Sequence, residues 1–454
     1  MEIWELGAVE LAAALRAREC SAVEALAAVL ERAEAVADLN PFALRLDERA
    51  LASAIDADAQ LAAGEGGPLC GVPLTVKDSH YMAGVPTSHG TRAVPPYVPA
   101  ETVTAVRRLE AAGAVIFAKT ATPEFCYAGT TPGTHNPHDP TRTPGGSSGG
   151  AAVAVAAHVG PLALGGDGGG SIRIPAAFCG IVGFKPTFGA VPREPSSQGW
   201  KTLVAYGPLA RCVADARLMF ETLAGEDPYD RHSVDVNLKG TVPFTFAAGA
   251  DGPISGDGNL KGTVPFRFAA CDTLGTLDDE VRAAFRNVCA EVGANDDAPN
   301  LPNNAATWAA IATAEARWAD AEAFASPELG RYARSFLEAG DAVTAEAYIR
   351  AQMYREEIHR AYAQLFERSG LLLTPTVGCE AFDASLAAPP TVPDWGAYLF
   401  DANLAGLPAC AIPMGRGRDG LPISLQITGP RGADGAVLAA AEHIEELLHV
   451  ARYV

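Results

Sequence analysis

Two serines and a lysine stand where their neighbours make chemistry possible. Ser147 lies in Thr143-Pro144-Gly145-Gly146-Ser147-Ser148-Gly149-Gly150, and Ser171 in Gly165-Gly166-Asp167-Gly168-Gly169-Gly170-Ser171-Ile172-Arg173-Ile174-Pro175. Lys77 closes the run Gly71-Val72-Pro73-Leu74-Thr75-Val76-Lys77-Asp78. Glycine tolerates positive φ and leaves backbone N–H groups bare, so each loop can bring main chain against a ligand. That suits an oxyanion hole or a phosphate cradle. The cradle fits less well, because a P-loop carries its lysine directly after the last glycine and neither loop does.

The segments around these residues alternate between strand and helix. Residues 71–78 read as a short buried strand ending in charge, Val103–Ala112 as a helix stopped by Gly113, and Ala114–Ala118 as a strand. Ala151–Ala157 reads as a buried helix, and Pro161–Leu164 as a strand that feeds the second glycine loop. Such alternation predicts an α/β sheet. Residues 1–60 form a helical lead-in, with a capping box at Ser21-Ala22-Val23-Glu24. Residues 305–368 are helical again, Leu371–Pro375 is a strand, and Asp434–Val450 places Val437, Leu438, Ala441, Ile444 and Leu448 on one helical face. No break in composition marks a linker, so a single domain over residues 1–454 is expected. Asn237–Ala248 recurs as Asn259–Ala270 with one residue changed. Two copies are too few for a solenoid, so residues 237–271 read as a hairpin or surface insertion.

Composition narrows the partners. A chain of 454 residues with 48% hydrophobic and 19% charged residues folds and buries a core, and its formal charge of -20 disfavours nucleic acid or an anionic membrane. Nine cysteines without a C-x-x-C pair signal neither a disulfide framework nor a zinc site. The first residues show no secretory signal, and no apolar run is long enough to span a bilayer, so a cytoplasmic protein is expected.

Taken together, the segments carrying Lys77, Ser147 and Ser171 resemble the amidase signature family. Gly183-Phe184-Lys185-Pro186-Thr187, Gly207-Pro208-Leu209-Ala210-Arg211, Asn403-Leu404-Ala405-Gly406-Leu407-Pro408-Ala409 and Asp419-Gly420-Leu421-Pro422-Ile423-Ser424-Leu425-Gln426 look like that family's later landmarks, in its order. Gly166 and Gly168 stand where many relatives carry Thr or Ser, and Ala151 where serine is common. The resemblance implies a single α/β/α sandwich around a large mixed sheet. It also implies a Ser-Ser-Lys triad with Ser171 as nucleophile, Ser147 as middle serine after a cis peptide bond, and Lys77 as base.

A serine hydroxyl needs a neighbouring base, and Lys77 can serve only when neutral, a state that burial favours. Gly168, Gly169 and Gly170, with Ser171, are the expected oxyanion donors. Asp167 and Arg173 are expected to brace the loop as an ion pair, with Ser148 and Asp78 in support. Phe125, Tyr127 and Phe178 read equally as pocket lining or core. His80 and His89 read as polar loop residues, and His135 with His138 lacks further ligands, so neither metal nor cofactor is expected. Cys126 and Cys179 read as buried apolar thiols. The expected reaction is hydrolysis of a carbonyl C–N bond in a small-molecule amide, anilide or carbamate, with ester cleavage alongside, by a monomer or homodimer. The rival reading is a glutaminase-type subunit of a tRNA-dependent amidotransferase.

Overall fold

A computed structural model describes residues 2–196, 199–236, 238, 266–301 and 304–448. Its strands are β1 (Phe42–Arg45), β2 (Pro73–Lys77), β3 (Val115–Thr120), β4 (Leu162–Asp167), β5 (Val182–Lys185), β6 (Ala205–Ala210), β7 (Phe268–Ala270), β8 (Asn295–Asp296), β9 (Leu371–Pro375), β10 (Ala409–Arg416) and β11 (Pro422–Thr428). They join one sheet in the order β1-β3-β2-β4-β6-β5-β10-β11-β9-β7-β8. Strands β3, β2 and β4 run parallel, the ladder is antiparallel from β4 through β9, and β9, β7 and β8 are parallel again. This is the mixed sheet of an α/β protein.

Every residue of β2, β3 and β4 is buried. A strand covered on both faces shows a continuous apolar run instead of alternation, which is what Val115-Ile116-Phe117-Ala118 and Leu162-Ala163-Leu164 present. The covering is helical: Gly149–Ala156 packs on β4, Arg173–Cys179 on β5, Val213–Leu223 on β6 and Asp434–Leu447 on β10. Among the described residues no helix is long and apolar enough to cross a membrane.

Three sequence expectations meet differences here. The lead-in contains the helices Ala8–Ala17, Ala22–Ala35 and Asp47–Ala63, and the Glu24 N–H donates to Ser21 Oγ at 3.1 Å in the capping box. Between the helices, however, β1 forms the sheet edge against β3, too short to show a period of its own. Strand β4 continues through Gly165, Gly166 and Asp167, which the sequence assigns to the loop; they pair with Gly207, Tyr206 and Ala205. A Cβ at Gly165 would lie 2.6 Å from Leu209 Cδ1, so the close approach of β6 calls for glycine inside a strand. Of the repeat segment, Phe268–Ala270 forms β7, whereas residues 239–265, where the hairpin or insertion was expected, lie outside the described residues.

Candidate active site

Because β2 and β4 are parallel neighbours, Lys77 and the second glycine loop emerge at the carboxyl end of the sheet, where open α/β sheets take ligands. Lys77 is the last residue of β2, and its Nζ lies 2.6 Å from Ser147 Oγ and 3.4 Å from the Gly166 carbonyl. Ser147 precedes the wholly buried helix Gly149–Ala156, and the Gly146–Ser147 peptide is cis. Ser148 ties the two loops together. Its Oγ donates to the Gly166 carbonyl at 3.3 Å and accepts from the Gly166 N–H at 3.4 Å, while its N–H donates to the Ser171 carbonyl at 3.1 Å.

Ser171 is 7% exposed at the end of the loop that follows β4. Its hydroxyl forms no hydrogen bond among the described residues, to Ser147 or to any other group. Ser171, Ser147 and Lys77 line one chamber of about 30 Å³ together with His89, Cys126, Tyr127, Trp200 and Asp320. A cleft of about 420 Å³ also reaches Ser171, walled by Gly169, Ile174, Trp308, Tyr332, Trp395, Leu399 and Phe400.

The loop between these serines is held from behind. Arg173 meets Asp167 through Nε at 2.9 Å and Nη2 at 2.9 Å, and fills its remaining donors with Leu399 O at 3.0 Å, Gln426 Oε1 at 2.7 Å and Asn403 Oδ1 at 2.7 Å. Both ions are fully buried. Burial alone would push the Asp167 carboxyl up, but Arg173, Lys185 and Asn403 outweigh it and hold the group below the usual carboxylate range. Asp167 also corrects the oxyanion expectation. The Gly170 N–H donates to its Oδ1 at 2.7 Å and the Ile172 N–H to its Oδ2 at 3.2 Å, so Gly170 is consumed in shaping the loop. The N–H groups of Gly168, Gly169 and Ser171 have no partner among the described residues. Two indoles crowd the same loop: a Cβ at Gly168 would lie 2.3 Å from Trp200, and one at Gly169 would lie 2.6 Å from Trp308. Trp308 Nε1 donates to the Gly168 carbonyl at 2.7 Å.

Burial pushes the Lys77 pKa down, while the neighbouring Cys126 sulfur and the Asp167 charge resist without restoring it. The same cause lowers His89 to about 4, leaving a neutral imidazole stacked on Phe125 at 6.4 Å between centroids. Burial raises the Asp320 carboxyl to about 6, against the hydrogen bond from Tyr127.

Other expected site residues fall in varied places. Asp78 is turned away from the serines into an ion pair with Lys119, Oδ1 to Nζ 2.8 Å. Tyr127 lines the chamber, stacked on Phe336 at 4.6 Å and Trp200 at 5.8 Å. Phe125 lines it as well. Phe178 does not: one turn beyond Ile174, it is fully buried behind Trp395 of the larger cleft and against Phe382. His80 is fully buried against Tyr206, and Cys179 is sealed in the core. Cys126 departs from the buried-thiol reading; a left-handed backbone, φ 65°, brings it to the chamber half-buried. Trp200, Trp308 and Asp320 carry no local signal that marks them for the site, whereas His89, read as a polar loop residue, lines the chamber. Asn403 and Gln426 lie within landmark segments already noted, and their task is to fill the Arg173 fork.

Comparison with known proteins places this geometry in a family. A family model described as Amidase matches residues 24–438. The chain belongs to the amidase family. Its general chemistry, hydrolysis of an amide C–N bond, follows from that membership. A glutamyl-tRNA(Gln) amidotransferase subunit of Geobacter sp. (strain M21) is 35% identical over 486 residues, covering 98% of each chain. Among solved structures, a crystal structure of an amidase shares 31% identity at a TM-score of 0.85, covering 97% of this chain and 99% of that one. An inhibitor-bound vestigial protein complex, tied to the origins of an s-triazine catabolic enzyme, matches at 26% identity and TM-score 0.86, covering 99% and 100%. These full-length likenesses agree with the α/β class and mixed sheet expected of an amidase.

Proposed function

We propose that Ser171 is the nucleophile, Ser147 the proton bridge and Lys77 the base of an amide hydrolase that takes an apolar acyl group joined to a small amine. The carrying observation is the buried 2.6 Å contact of Lys77 Nζ with Ser147 Oγ, beside the unengaged Ser171 hydroxyl. With Lys77 neutral, Ser171 Oγ attacks the carbonyl carbon as its proton passes to Ser147 and the Ser147 proton passes to Nζ. The N–H groups of Gly168, Gly169 and Ser171 meet the oxyanion, where losing one such donor typically costs about 10²–10³ in rate. The relay then runs backwards to protonate the nitrogen, the amine leaves, and water cleaves the acyl-enzyme by the same path.

The departing nitrogen must face the relay. That places the amine in the chamber of about 30 Å³ and the acyl group in the aromatic cleft of about 420 Å³. Space of the smaller size suits a group of one to a few heavy atoms. Primary amides of aryl or bulky apolar acids therefore fit better than anilides, and carbamates or esters with equally small leaving groups fit the same space.

A second reading is favoured by the full-length relatives, which bear the name of a glutamyl-tRNA(Gln) amidotransferase component. Glutamine would bring a free α-carboxylate, and a buried charge needs a partner. The only cation lining either cavity among the described residues is Lys77, which supports the free-standing hydrolase. The test is release of ammonia, amine or, from the ester, alcohol by the purified chain alone from a panel of apolar primary amide, anilide, carbamate, ester and glutamine. Turnover of the apolar amide without ATP or a partner is expected. Turnover confined to glutamine, or appearing only with a partner protein, favours the second reading.

A further inference from the structure

Asp320 is an acid in an unfavourable place. It caps the carboxyl end of the helix Ala305–Ala319, where the helix dipole already presents negative charge. Nor does it offset this by capping the next helix, because its side chain makes no bond to the short segment Ala321–Phe324. Arg317, three residues earlier, turns to Asp341 at 2.8 Å instead. Among the described residues the carboxylate has no cationic partner and a single hydrogen bond, accepted by Oδ2 from the Tyr127 hydroxyl. Its surroundings are aromatic, since Tyr127 stacks on both Trp200 and Phe336. The carboxylate is partly exposed where it lines the chamber, so a donor on a ligand can take the place that solvent otherwise fills. The chamber it lines is the one holding Lys77 and Ser147.

We propose that Asp320 is a specificity-determining residue that accepts a hydrogen bond from an N–H donor carried by the departing group of the substrate. This rests on the reading that the amine leaves through the Lys77–Ser147 chamber. The favoured leaving groups are small and nitrogen-rich, with an N–H beyond the one on the scissile nitrogen or a positive charge within reach of the carboxylate. A purely apolar leaving group of equal size would leave Asp320 without its ligand.

The test uses a matched pair with one apolar acyl group, a hydrazide (–NH–NH₂) and an N-methylamide (–NH–CH₃), which differ in donors and hardly in size. The quantity read is the ratio of their kcat/KM values, in which folding defects cancel, and its change on substitution removes their intrinsic difference in reactivity. Relative to the unsubstituted enzyme, Asp320→Asn is expected to lower the hydrazide preference about ten-fold, as befits loss of a charged hydrogen bond. Tyr127→Phe, which keeps the carboxylate, is expected to retain the preference. An unchanged ratio in Asp320→Asn overturns the inference and leaves the hydrolase reading standing. Absence of turnover of both substrates by the unsubstituted enzyme overturns the reading of the chamber and the inference with it.

Discussion

Lys77 Nζ and Ser147 Oγ stand 2.6 Å apart, with Lys77 1% exposed and Ser147 not at all. An amine placed there loses its hydration and gains only partial compensation, so its neutral form is favoured. Lys77→Met, similar in length and without a basic nitrogen, is expected to lower kcat by about 10²–10⁴ while the protein remains folded by circular dichroism. Activity within a few-fold of the original would remove Lys77 from the base role.

The Lys77 environment also dictates a pH profile. Activity should rise with pH as Lys77 loses its proton, at a value below the ordinary lysine figure of about 10.4. Cys126 and Asp167 both favour the charged amine. Cys126→Ala removes one of them, so the acid limb of kcat/KM should move to lower pH. A shift to higher pH would contradict the influence of Cys126 on the amine.

Arg173 neutralises a carboxylate that no water reaches. Arg173→Met leaves Asp167 buried and unpaired, at an expected cost of about 3–5 kcal/mol in urea unfolding. Linkage supplies a second readout. Asp167 titrates lower in the folded than in the unfolded chain, so its contribution is present above the unfolded value of about 4 and is lost as pH falls toward the folded value. The substituted protein should lose that part of the acid dependence of stability; an equal slope in both proteins would deny the pairing.

Gly168→Ala drives a methyl group to within 2.3 Å of Trp200. Overpacking of this kind costs about 1–3 kcal/mol, and here it displaces the loop whose N–H groups are the proposed oxyanion donors. A fall in kcat/KM of about ten-fold or more is expected, with partial recovery in Gly168→Ala/Trp200→Leu measured as a double-mutant cycle. Additive effects would show that the indole does not set the loop.

The two glycine loops and Lys77 are legible in the sequence because their meaning is local: a glycine run before a serine, a lysine closing an apolar strand. The parallel centre of the sheet is legible for the same reason, since β3 and β4 open on unbroken apolar runs and β2 is mostly apolar. What escapes is decided by contact across the chain. Nothing near Asp78 announces Lys119 as its partner, and nothing near Asp320 places it opposite Tyr127, 193 residues away. Gly170 reads as an oxyanion donor until Asp167 is seen to claim its N–H. Phe178 and Tyr127 are equally aromatic in sequence, and only packing sends one to the core and the other to the chamber.

The guanidinium of Arg173 is filled from both ends of the chain. Asp167 lies six residues before it, while Asn403 and Gln426 lie 230 and 253 residues after it. A polypeptide released from the ribosome between residues 171 and 426 would contain Lys77, Ser147 and Ser171, yet would lack the last acceptor of the Arg173 fork that braces the second loop. Turnover thus reports that the chain has been built past Gln426, and shorter fragments carrying all three of those side chains should be catalytically silent.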